Sequence, residues 1–215
     1  MDSVIDKINK IKSTVSGALP GNPVSREYEL DKQDVTVWIL EKKQFDVANK
    51  GQKEFILDSM RRGISNLTRL RHPKILSVVH PLEESRESFA FATEPLLASL
   101  ANLIGATSNL SDAIICSISN YEFSEVEIKY GMLQLCEALG FLHNDCHQAH
   151  LNLTPASIVL NRVGTWKLCG FEFSEQLSSS DESSSARIPI WTQDGPLLTQ
   201  PSLNFCAPEL AIRPI

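Results

Sequence analysis

Apolar positions along this chain repeat with two periods, and the switches between them outline its elements. Near the start, Val4, Ile8, Ile11 and Val15 recur at spacings of four, three and four, with Lys7, Lys10 and Lys12 among them. That pattern predicts a short helix with one apolar stripe and basic residues beside it. It suits a terminal helix laid on its own domain, and it also suits peripheral contact with a membrane surface or a partner. Leu19-Pro20-Gly21-Asn22-Pro23 breaks the helix and marks a linker. The period becomes two at Val35–Leu40, a predicted strand with Thr36, Trp38 and Leu40 on one face. Helical spacing returns over Gln52–Leu70, where Ile56, Met60, Leu67 and Leu70 share a stripe with Gly63.

Ile75–Val79 and Ser88–Thr93 read as further strands, Leu96–Ile104 as a short helix and Thr107–Asn120 as loop. The strongest helix opens at Ser124, which forms a capping box with Glu127. Ile128, Met132, Leu135, Leu139 and Leu142 then follow at alternating four and three. Ser178–Ser185, SSSDESSS, has no apolar residue and predicts a solvated loop.

Composition narrows the function classes. The 215 residues can bury a real core, and 42% are apolar. A net charge of −6 argues against a nucleic-acid binder, which would show a basic stripe. Five cysteines without framework spacing point to reduced thiols, and with no signal-like core at the N-terminus the expected location is cytoplasmic. His143, Cys146, His147 and His150 fall within eight positions but lack the paired clusters of a zinc site, so no metal is expected.

The stretch His150–Glu172, HLNLTPASIVLNRVGTWKLCGFE, organises the rest. It resembles the catalytic loop, paired strands and metal-binding turn of a eukaryotic protein kinase. There, H-R-D-L-K-P-E-N supplies a base and a metal ligand, and D-F-G supplies a second metal ligand. Laid on that pattern, Asn152 stands for the basic Asp, Thr154 for the Lys, Ser157 for the Asn and Gly170 for the metal Asp. The interval from Asn152 to Gly170 is 170 − 152 = 18 positions, as the family has it. Val35-Thr36-Val37-Trp38 resembles the V-A-I-K strand, with Trp38 where a Lys grips the phosphates. Trp38 is also a plausible core aromatic, and both readings are compatible. Gly63 takes the place of the helix Glu that pairs with that Lys. No three of the ten glycines form G-x-G-x-x-G, and only a few residues separate the Arg26–Leu30 region from Val35, where the kinase pattern has its Gly-rich loop. Ala207-Pro208-Glu209 matches A-P-E.

The resemblance therefore implies an α+β, bilobal, protein-kinase-like fold in partial form. Its sheet lobe would lack its first two strands, and its helical lobe would end after A-P-E. The expected divisions are an N-terminal helix and linker (1–23), a partial N-lobe (24–94) and a partial C-lobe (95–215) with a long activation segment (170–209). Without its central C-lobe helix, such a chain should expose apolar surface on the Ser124–Leu142 helix.

A narrower likeness lies in Arg71-His72-Pro73, His80–Arg86, Thr93-Glu94-Pro95, Ala98–Asn102, Trp166-Lys167 and Gly170-Phe171. These residues resemble the SCY-like pseudokinase family, in the branch linked to clathrin-coated vesicles. That resemblance implies a non-catalytic scaffold or regulator without a cofactor, acting in traffic at coated vesicles, endosomes or the Golgi. Its implied partners are clathrin or adaptor complexes, bound largely through regions beyond the kinase-like part. The competing reading is a Ser/Thr kinase or ATP-binding protein with atypical residues, for which Glu172, Lys167 and Asp145 would have to substitute.

Overall fold

The computed structural model describes residues 27–30, 33–45, 50–108, 110–177 and 200–208. The N-terminal helix with Val4, Ile8, Ile11 and Val15, the linker, the serine run and Glu209 of the A-P-E triplet lie outside the described residues.

The first layer is a four-stranded antiparallel sheet built from β1 (Glu27–Leu30), β2 (Gln33–Glu41), β3 (Val78–Glu84) and β4 (Ser88–Thr93), in the order β1-β2-β4-β3. The β-branched run of β2 sits at the centre, where both flanking strands satisfy its backbone, and Val35, Thr36 and Val37 are buried. The resemblance implies a sheet lobe without its first two strands; the structure corrects this by one strand, β1, which pairs Glu27 with Thr36 and Leu30 with Gln33. Four residues are too few for a periodic signal to stand out. Helix α1 (Lys50–Arg69) packs against the sheet through Ile56 and Leu57, which join Phe45 and Phe89 in one apolar cluster.

The Ile75–Val79 strand also needs correction, because β3 starts only at Val78. Residues 74–76 are claimed by β8 (Trp166–Leu168): Leu168 N donates to Lys74 O, and Leu76 N donates to Leu168 O. That exchange stitches the two lobes together beneath the His72-Pro73 turn.

Leu96–Ile104 is not one helix. Leu96–Ser99 forms β5, which pairs with β7 (Ile158–Asn161), and β7 pairs in turn with β8. Only Leu100–Leu103 is helical (α2), started by Ser99 and Asn102 capping each other reciprocally. The available partner β7 overrides the local helical preference of Leu-Leu-Ala. The expected loop 107–120 contains a second departure, α3 (Asp112–Ile118), which buries Ile118.

Helix α4 (Glu125–Asn144) starts at Ser124, whose hydroxyl accepts from Glu127 N. The Glu127 carboxylate accepts from the Tyr121 hydroxyl. The buried face of α4 differs from the predicted stripe: Gly131, Gln134, Leu135, Ala138 and Leu142 turn inward. Gly131 and Gln134 choose that face. A Cβ at Gly131 would fall 2.3 Å from the Trp166 ring, and Gln134 Oε1 accepts from Trp166 N at 2.7 Å. Ile128 and Met132 consequently point outward with Val126, Tyr130 and Leu133, leaving an apolar face exposed. A two-stranded ribbon of β6 (Gln148–Ala149) and β9 (Glu175–Gln176) completes the C-terminal layer. The main core, including Leu67, Leu76, Leu96, Leu142, Leu168 and Phe171, joins α1, α4 and the β5-β7-β8 sheet.

Candidate functional site: the interlobe cleft

Between the sheet lobe and the His150–Glu172 stretch lies a cleft of about 1040 Å³. Its floor is fixed by backbone-binding side chains. His150 is buried, its Nε2–H donates to Cys169 O at 2.8 Å, and its Nδ1 accepts from Asn152 N at 3.2 Å. Both ring nitrogens are thus committed in the neutral form, and burial pulls the imidazole pKa down to about 4. The ring also meets Phe171 edge-on at 4.7 Å. Between His150 and Asn152 the chain reverses through Leu151 at φ 57°, a conformation that costs a non-glycine residue energy.

Asn152, Thr154, Ser157 and Gly170 all line this cleft. Asn152 Nδ2 donates to Gly170 O and to a Glu172 carboxylate oxygen, each at 3.3 Å. Thr154 and Ser157 cap one another around a single 3-10 turn, Pro155–Ser157. Ser157 Oγ also donates to Thr154 O at 2.9 Å. Gly170 sits at φ 80°, and a Cβ there would approach Ser157 Cβ to 2.7 Å. The four positions are brought together, and their polar groups are occupied with one another and with the backbone. None carries a charge, so none can abstract a proton at neutral pH or hold a magnesium ion firmly.

The roof is apolar. Trp38 on β2 lies opposite Phe91 on β4 and stacks on it, with centroids 5.6 Å apart and planes 9° from parallel. Its Nε1–H donates to Thr93 Oγ1 at 2.9 Å, which holds the indole in place. Trp38 therefore lines the cleft while also packing against the main core. Gly63 on α1 has a packing reason of its own: a Cβ there would fall 2.9 Å from Glu172 N and 3.1 Å from Glu172 Cγ. The turn after Phe171 occupies the space beside α1, and Arg62 reinforces the contact by donating to Glu172 O.

Three residues would have to supply the charges of a kinase reaction here: Lys167, Asp145 and Glu172. Lys167 is buried and pairs with Glu94 at 3.0 Å; that carboxylate also accepts from Ser77 N. Asp145 is exposed at the end of α4, and neither it nor Lys167 lines the cleft. Glu172 does line it. Burial raises its carboxyl pKa, opposed by its own amide and by Asn152. The group is enclosed by protein yet reachable from the cleft, and no basic side chain pairs with it among the described residues. His143 and His147 are exposed, and no metal-holding cluster occurs among the described residues.

Sequence reasoning did not single out Phe91 or Thr93. The alternation of Ser88–Thr93 carried the signal for Phe91, since it places that ring with Phe89 on one face of β4. Residues 200–205, which also border the cleft with Pro201 buried, gave no sequence signal.

Comparison with known proteins fixes the relationship. The protein kinase domain family matches residues 29–212. SCY1-like protein 2 of Mus musculus is 39% identical across 97% of this chain, as is its Homo sapiens counterpart. The chain belongs to the SCY1-like branch of the protein kinase domain family. A Dictyostelium discoideum relative, 27% identical over 65% of the chain, is named a probable inactive serine/threonine-protein kinase. The chain spans about a quarter of the length of the SCY1-like protein 2 relatives. Among the described residues, no helix is long and apolar enough to cross a membrane.

Proposed function

We propose that this SCY1-like chain is a non-catalytic kinase-fold module, a scaffold or regulator that neither binds nor turns over ATP. One observation carries the reading: among the described residues lining the cleft there is no Lys, Arg or His, and the single charged group is the carboxylate of Glu172. A nucleotide triphosphate brings several negative charges, and phosphoryl transfer depends on cations and donors placed against them. Here those charges would meet an indole, a carboxylate and polar groups already occupied. Of the nearby cations, Lys167 is engaged by Glu94, and Arg62 by Glu172 O and the Glu175 carboxylate.

The module's work is then to present surfaces. The kinship with SCY1-like protein 2 supports placing it in vesicle traffic, with clathrin or adaptor complexes as the partners to test. Residues 1–23, read from the sequence as an amphipathic helix and linker, are the segment to test for peripheral membrane contact through Val4, Ile8, Ile11 and Val15. Incubation of the purified chain with γ-labelled ATP, magnesium and generic Ser/Thr substrates should give no phosphate transfer above a no-enzyme control. Transfer that survives repurification would defeat the non-catalytic reading. Co-sedimentation with assembled clathrin cages, and capture by isolated adaptor complexes, test whether these residues carry such a contact; absence of both would remove clathrin and adaptors as partners of this chain.

A further inference from the structure

The features that exclude a nucleotide also describe what the cleft would accept. Its volume, about 1040 Å³, is of the order of pockets that enclose a drug-sized molecule. Its walls are mostly apolar and aromatic, with Trp38, Phe89 and Phe91 above and Phe173 beside Glu172. The one charged group among the described lining residues is a carboxylate whose side-chain donor is a single amide at 3.3 Å. A carboxylate so placed is desolvated with no basic side chain paired to it among the described residues, which is costly until a cation arrives. The walls are also pre-set: the indole is held by Thr93, and the floor by His150 and by the Thr154–Ser157 pair. Aromatic faces, Trp above all, attract cations in their own right.

We infer that the cleft is a binding site for small organic monocations bearing a flat apolar body, the ammonium or amidinium on Glu172 and the ring system along Trp38 and Phe91. The inference rests on the nucleotide-free reading of the same cleft and adds a ligand class to it.

Three matched probes test it on the full chain by ligand-observed NMR at neutral pH: 2-naphthylmethylamine, 2-naphthylmethanol and 2-naphthoate. The amine should bind at least about tenfold more tightly than the alcohol, with the carboxylate weakest. Glu172→Gln keeps the shape and an acceptor for Asn152; it should bring the amine down to the alcohol while leaving the alcohol within about twofold of its original affinity. Equal affinities for the three probes, or an amine preference that persists in Glu172→Gln, would overturn the assignment. If that variant does not fold, the order of the three probes in the unaltered chain decides alone. A lysine-containing peptide that displaces the amine and binds more tightly would overturn the small-molecule assignment in favour of a protein ligand. Mg-ATP titrated in parallel separates the two readings. Amine and ATP both failing to bind sinks only this inference, whereas displacement of the amine by ATP sinks the nucleotide-free reading as well.

Discussion

The roof and the floor of the cleft are built in different ways. On the roof stands the largest aromatic side chain, Trp38, which we propose takes the place of the kinase strand Lys; it is pinned by Thr93 and stacked on Phe91. Gly63, proposed to stand for the acidic partner of that Lys, has another segment closed against it. The floor keeps its geometry: His150 still ties the loop to Cys169 O, and Asn152 still reaches Gly170 and Glu172. There short polar side chains satisfy each other at positions that we propose correspond to charged groups of a kinase. The roof has been filled, and the floor has been neutralised. The contrast teaches that the side chains that hold the backbone and those that would do chemistry are separate sets, so one can persist without the other.

Attempts to put the lost groups back sharpen this contrast. The largest effect is expected at the floor, from Gly170→Asp. The new side chain would meet Ser157 Cβ and would have to adopt a positive φ. Backbone strain and overpacking together should cost about 4 kcal/mol. Urea unfolding would measure it, and a fully stable variant would show that the floor is less fixed than its contacts imply.

A somewhat smaller effect should follow from acid. The His150 pKa is lowered from 6.5 to about 4 in the folded chain, so the unfolded chain binds the extra proton between those values. The stabilisation is complete above pH 6.5 and is lost as pH falls toward 4, amounting to about 3 kcal/mol. The fall in urea midpoint between pH 6.5 and 4.5 should be absent in His150→Gln. Glu84, held near 2 by Arg61 and Lys42, acts only at lower pH.

On the roof, Gly63→Ala should destabilise by about 1–2 kcal/mol even though alanine favours helix, because the new Cβ meets Glu172 backbone. A stabilised variant would mean that the turn can retreat from α1. Trp38→Phe is the mildest change: the stack on Phe91 survives and only the bond to Thr93 is lost, costing about 1 kcal/mol.

The framework was legible because it is written in fixed intervals: the 18 positions from Asn152 to Gly170, the His72-Pro73 turn and the helix from Ser124. The sequence also showed which residue types stand at the matched positions, Trp38, Gly63, Asn152 and Gly170, on which the proposed loss of charge rests. Contacts between distant segments were not. Leu96–Ser99 read as helix because its partner β7 lies 60 residues on, and the inward face of α4 was set by Trp166 finding Gly131. The reason for Gly63 had the same character, since Glu172 closes on it from 109 positions away. Nor could the sequence say whether Lys167 turned toward the cleft or toward Glu94; only the coordinates show it spent on the latter.

The most direct measurement is the thermal unfolding midpoint of the purified chain with and without millimolar Mg-ATP. A ligand that binds only the native state adds about 2.7 kcal/mol at a hundred times its dissociation constant, a shift of several degrees. A cleft with no cation among its described lining residues predicts a cooperative melt that ATP leaves unmoved. A reproducible upward shift would contradict the account at its centre.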